Sequence, residues 1–210
     1  LYTLPAKQTA AGTADILSHA REQYFQPTDD AYLTDRISES LMKTVIHYGP
    51  IALEEPENYE ARANLMWSSS LALNHILTVG KGGAWSCHPI EHELSAYYDI
   101  THGEGLAIVT PAWMKAVLCD TTVERFAMFG KNVWDITEGD SREIAEKAIE
   151  KTAEFFKSLG LPSTLKEVGI SSEKFEEMAE EAVRTSGIAV RSYYHLDKED
   201  IVKIYESCAE

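Results

Sequence analysis

Basic runs are missing from this sequence. Its 19 Lys and Arg stand against 34 Asp and Glu, a formal net charge of -15, and the basic residues nowhere cluster. Phosphate backbones are bound through clustered Lys and Arg, so neither nucleic acid nor an anionic membrane surface is expected as a partner. Long apolar runs are missing too. No stretch approaches the roughly 18 residues of a membrane-spanning helix, and the N-terminus lacks the charged-then-apolar layout of a leader peptide. Cysteine is scarce: Cys87, Cys119 and Cys208 form no obvious disulfide framework and suit a reducing compartment. A cytoplasmic protein is expected. Internal repeats, low-complexity tracts and credible strands are also lacking.

What is present is enough for one buried core. The chain has 210 residues, 44% of them hydrophobic, which predicts a single domain over residues 1–210. It opens on Leu1-Tyr2-Thr3-Leu4-Pro5, which reads as the end of an extended segment of something longer. A helix is predicted from Gln8 to about Tyr24, with Asp15 and His19 four residues apart on one face. A second, Leu33 to Tyr48, carries Ile37, Leu41, Val45 and Tyr48 at helical intervals and meets Gly49-Pro50 as a stop. A third, Glu57 to about Val79, is apolar on most sides through Leu65, Met66, Trp67, Leu71, Leu73, Ile76 and Leu77, the pattern of a buried central helix. His47 and His75 lie in these two helices away from other candidate ligands and read as structural.

Gly80-Lys81-Gly82-Gly83 breaks the pattern, and Pro89 suits the first turn of a new helix starting near His88. The stretch from Trp85 to Gly105 then holds His88, His92 and His102, three of the seven histidines, beside a glycine-flanked turn. Imidazole is the commonest transition-metal ligand, and a helix plus the next turn can gather several. His88 and His92 are one helical turn apart, and His102 opens the helix that runs from Leu106 to Leu118. A metal site here needs a carboxylate, and Asp15 offers one; an exposed Asp15–His19 helical pair is the alternative reading. His92 can equally point into the same cavity without touching a metal. Downstream, Asp140 or Ser141 caps a helix through Ile144, Ile149 and Phe155 that Gly160 and Pro162 end, Ser171 or Ser172 starts another, and Asp197 precedes the last. Glu176, Glu177, Glu180 and Glu181 read as a solvated face.

With the histidines placed, the chain resembles a known family. Residues 3–12 (Thr-Leu-Pro-Ala-Lys-Gln-Thr-Ala-Ala-Gly), Asp15-x-x-x-His19, His88-x-x-x-His92 with His102 ten residues on, and Val133-Trp134-Asp135-Ile136-Thr137-Glu138-Gly139 are similar to the C-terminal half of the iron-containing (group III) alcohol dehydrogenases, in their butanol dehydrogenase and broad-range aldehyde reductase branch. The resemblance implies an all-α, multi-helix bundle of the dehydroquinate synthase-like type. It implies metal ligation by Asp15, His19, His88 and His102, with Fe2+ or Zn2+ as the ion. It also implies that His92 faces substrate and nicotinamide as the catalytic, cofactor-side histidine. A small alcohol or aldehyde is the expected substrate, NAD(P)H the expected cofactor, and a homodimer the expected assembly. The family's glycine-rich pyrophosphate loop has no counterpart, since neither Gly-Gly-Gly-Ser nor G-x-G-x-x-G occurs. The N-terminal dinucleotide-binding domain is therefore expected to lie outside this chain.

Two rival readings remain at this level. His88-Pro89-Ile90-Glu91-His92 fits the H-x-x-E-H pattern of inverted zincin peptidases, with Glu91 as general base, although Pro89 falls inside the required helix. The chain could also be a non-catalytic helical dimerisation module, which would have no reason to retain an ion.

Overall fold

The computed structural model describes residues 1–28 and 30–210. Among them are ten α-helices: α1 Ala6–Tyr24, α2 Tyr32–Glu54, α3 Tyr59–Leu73, α4 Cys87–Tyr98, α5 His102–Val117, α6 Val123–Trp134, α7 Ser141–Ser158, α8 Phe175–Thr185, α9 Ile188–Arg191 and α10 Lys198–Ser207. The described residues contain no strand, only an isolated bridge between Ala84 and Ser192, and no helix long and apolar enough to cross a membrane. The all-α expectation holds.

The centre of the bundle is α1, flanked by α2, α3 and α5. Its first turns bury small residues, Thr9, Ala10, Ala11, Thr13, Ala14, Ser18 and Ala20, with Leu17, and its last turn buries the larger Arg21, Glu22, Gln23 and Tyr24, so the helix is buried over most of its circumference. Small side chains let neighbouring backbones come close. Gly103 at the start of α5 uses this, since a Cβ there would strike the Ala11 backbone. The predicted central helix, α3, takes a different place. Met66, Trp67 and Leu73 are exposed, and the helix stops at Leu73, where His75 turns left-handed with φ 69° before a 3-10 turn over Ile76–Thr78. Bulk favoured α3 as the centre, whereas close packing favours the alanine-rich α1. His47 and His75 are both exposed, so neither is a core histidine.

The expected stop at Gly49-Pro50 is overridden. Helix α2 runs on to Glu54 with Pro50 inside it; Gly49 lies against Thr13 of α1 and Ala52 is buried, so tertiary packing outweighs the hydrogen bond that proline cannot donate. The C-terminal helices follow their caps. Asp140 and Asp197 each close a capping box, with Glu143 and Asp200 respectively, and Gly160 adopts φ 77° after α7. Glu176, Glu177 and Glu180 are exposed, as expected of a solvated face, while Glu181 is half-buried.

A buried ion cluster fixes the loop that leads into α4. Asp35 on α2 accepts two hydrogen bonds from Arg125 of α6, at 2.5 and 2.7 Å, and pairs with Lys81 at 2.5 Å. Lys81 also donates to the Gln23 carbonyl at the end of α1, and the Arg125 guanidinium lies 3.9 Å over the Tyr24 ring. The glycine-rich turn before α4 is thus pinned to α1, α2 and α6 together.

Candidate metal centre

Three helices converge at one end of the bundle. Asp15 and His19 project from the middle of α1, His88 from the first turn of α4, and His102 from the first residue of α5. Pro89 sits in that first turn of α4, as the sequence predicts. The approach of Gly103 to Ala11 draws the start of α5 against α1 and so brings His102 towards Asp15.

The Nε2 atoms of His19, His88 and His102 lie 3.3, 3.7 and 3.6 Å from one oxygen, Asp15 Oδ1. His88 is buried, His19 nearly so, and Asp15 and His102 are about one-third exposed. Asp15 Oδ1 and His88 Nε2 are shut away from solvent with no hydrogen-bond partner. Burying such atoms unsatisfied is costly, and three imidazole nitrogens with one carboxylate oxygen form a donor set suited to a divalent cation. The residues present therefore fit an ion. The electrostatics point the same way: burial alone would raise the Asp15 carboxyl, but the imidazoles of His19, His88 and His102 hold it well below the usual carboxylate range.

Behind the donors stand two buried carboxylates. Glu22 on α1 accepts from the backbone N–H of Ser86 at 2.7 Å and of His88 at 3.0 Å, and faces His88 Nδ1 at 3.4 Å. It thereby caps α4 from another helix, where the dipole favours an anion. Burial would raise Glu22, but His88 and Arg21 bring it down to about 2. Glu91 on α4 is fully buried, pairs with His102 Nδ1, and accepts from Ser95 Oγ at 2.7 Å. Trp85 packs its ring on His19 and His88, with centroids 5.0 and 4.6 Å apart.

His92 lies one turn beyond His88, exposed at the mouth, with its ring 5.3 Å from His102 and 6.0 Å from His88. Burial of part of the ring, with His102 and His88 beside it, lowers its pKa. Glu91, His92 and His102 offer a second group of donors within 4.8 Å, yet Glu91 is already engaged by His102 and Ser95. The same engagement removes Glu91 from the general-base role of the peptidase reading, because its carboxylate faces a histidine and a serine inside the protein. Sequence reasoning did not assign Glu22 or Trp85 a role and gave Glu91 a different one. The available signals were the i,i+3 spacings His19–Glu22 and His88–Glu91, each placing a carboxylate on the helix face of a candidate ligand. The Val133–Gly139 motif lies elsewhere: it ends α6 with Asp135 left-handed at φ 54° and leads to the cap of α7.

Comparison with known proteins agrees over nearly the whole chain. Residues 9–209 match the Fe-containing alcohol dehydrogenase family, C-terminal. NADH-dependent butanol dehydrogenase A of Clostridium acetobutylicum is 54% identical over 206 residues, covering 98% of this chain and 53% of the relative. The NADPH-dependent aldehyde reductase YqhD of Escherichia coli is 41% identical over 170 residues, covering 80% of this chain and 43% of the relative. Among solved structures, NADH-dependent butanol dehydrogenase A from Thermotoga maritima superposes with a TM-score of 0.92 at 37% identity, over 100% of this chain and 54% of that one. The chain spans about half the length of the curated relatives it matches.

Proposed function

This chain belongs to the Fe-containing alcohol dehydrogenase family, and on that premise we propose that it is the metal-binding catalytic half of an NAD(P)-dependent alcohol dehydrogenase or aldehyde reductase acting on small substrates such as butanol or butanal. The names of its relatives include both NADH and NADPH, and the proposal is accordingly NAD(P). Asp15, His19, His88 and His102 would hold one divalent ion, Fe2+ or Zn2+, because nitrogen and oxygen donors accept either. When bound, the ion supplies Lewis-acid polarisation of an alcohol or aldehyde oxygen and the nicotinamide supplies the hydride.

The remaining work falls to side chains of this chain. Buried His88 anchors the donor set, while the partial exposure of Asp15 and His102 leaves one side open for a substrate to enter. His92 is our candidate for passing the proton between substrate oxygen and solvent: it stands exposed next to His102, and an imidazole has a pKa range suited to that task. The observation that carries the reading is the single carboxylate oxygen of Asp15 within 3.3–3.7 Å of three imidazole nitrogens, two of these four atoms being buried without a partner.

Elemental analysis tests it. The wild-type chain should bind about one divalent ion, His88→Ala and His102→Ala should lose it, and His92→Ala should keep it. Equal metal in wild type, His88→Ala and His102→Ala would remove the proposal and favour a purely structural helical module. Loss of metal from His92→Ala would place that residue among the ligands instead.

A further inference from the structure

Each ligand histidine has a second ring nitrogen, and the three are treated differently by their surroundings. His88 Nδ1 faces Glu22 at 3.4 Å. His102 Nδ1 is in direct contact with Glu91. His19 Nδ1 is buried with no partner. A carboxylate on Nδ1 holds the proton there, leaves the Nε2 lone pair free, and fixes the plane of the ring.

Resting on the metal-centre reading above, we propose that Glu91 is a positioning residue that acts through His102, setting its tautomer and ring orientation so that Nε2 is presented to the cation. Three observations converge on it. Glu91 is fully buried, and a carboxylate is costly to bury without a strong partner. Its Oε1 accepts from Ser95 Oγ, while its Oε2 abuts His102 Nδ1 and has no other partner; the Ser95 hydroxyl also lies 3.2 Å from the Ile100 carbonyl, which ties the carboxylate to the turn between α4 and α5. Space for it is kept by Gly105, where a Cβ would lie 2.5 Å from Glu91 Oε1 and 2.6 Å from its Cγ. The sequence His102-Gly103-Glu104-Gly105 thus holds a ligand, the residue that lets it approach α1, and the residue that lets its carboxylate partner in. Glu22 serves His88 in a related way, but because it also caps α4 its replacement would mix two effects. Glu91 caps no helix, and its other contact, with Ser95 Oγ, is registered by the melting measurements below.

The test measures Zn2+ affinity of the full 210-residue chain by competition with a chelator, for wild type, Glu91→Gln, Glu91→Leu and Gly105→Ala. Melting of the metal-free proteins is recorded alongside, and affinities are referred to the folded fraction. Glu91→Gln, whose carbonyl can still accept from Nδ1, should bind more weakly than wild type, and Glu91→Leu, which cannot accept at all, should lose about 10–100-fold. Gly105→Ala, which leaves Glu91 in place but crowds it, should weaken binding in the same direction. In nitrogen-15 spectra of the metal-free protein, His102 should be held with its proton on Nδ1 in wild type and lose that preference in Glu91→Leu. Wild type that binds Zn2+ while Glu91→Leu binds equally tightly overturns the positioning role alone. Wild type that binds none overturns the metal-centre reading and this inference with it.

Discussion

Asp35 shows what one side chain can carry in this molecule. It is buried between Arg125 and Lys81, and removing it leaves two buried cations without the carboxylate that pairs them. Breaking a buried pair in this way costs about 3–5 kcal/mol, so Asp35→Ala should lower the denaturation midpoint strongly, as read by urea titration. Burial alone would raise the Asp35 carboxyl, but hydrogen bonds from Arg125 and Lys81 bring it below its ordinary value of 3.8. The unfolded chain therefore takes up this proton at a higher pH than the native chain. The stability Asp35 contributes is complete above pH 3.8 and is lost as the pH falls through the lower native value. Thermal melts taken from neutrality into acid should show that loss in wild type and a shallower one in Asp35→Asn.

Among the elements, the capped helices are the ones most legible in the sequence. Asp140 donates nothing to the metal site but holds the start of α7 through a capping box with Glu143. Asp140→Ala should cost about 0.5–2 kcal/mol in melting experiments and leave metal content unchanged. Caps, proline in the first turn of α4 and terminal glycines are local signals, which is why α4, α7 and α10 were foreseeable near their true limits. The misplacement of α3 came from reading burial off bulk and the unforeseen length of α2 from reading Gly49-Pro50 as a stop, but both are decided by how closely backbones pass, which no residue announces alone. The site divides in the same manner. Asp15, His19, His88 and His102 were identifiable from spacing and resemblance, and the structure gathers them around one oxygen. Glu22 and Glu91 were not seen as their supports, because a pairing between Glu22 and His88 exists only once α1 and α4 have packed.

For the molecule as a whole, what the described residues contain bounds what they can do unaided. They form helices with no strand followed by a glycine-rich loop, and hydride transfer depends on a nicotinamide held close to the reacting carbon. The purified 210-residue chain is expected to take up metal yet produce no change in nicotinamide absorbance with butanol or butanal. Turnover matching that of a full-length relative at equal metal content would show that a dinucleotide site lies within these helices.

The donors around Asp15 come from three helices, two of them separated from the first by much of the chain. In the language of folding kinetics, no local segment can assemble that cluster in advance: α1 must wait until α4 and α5 have formed and docked, a closure of long loops that is slow compared with helix formation. Metal uptake during refolding should therefore trail the return of helical circular dichroism, and an ion added at the start of refolding should reach its binding rate only once the bundle has closed. On the proposed reading, capture of the ion would then mark the moment when α1, α4 and α5 have met.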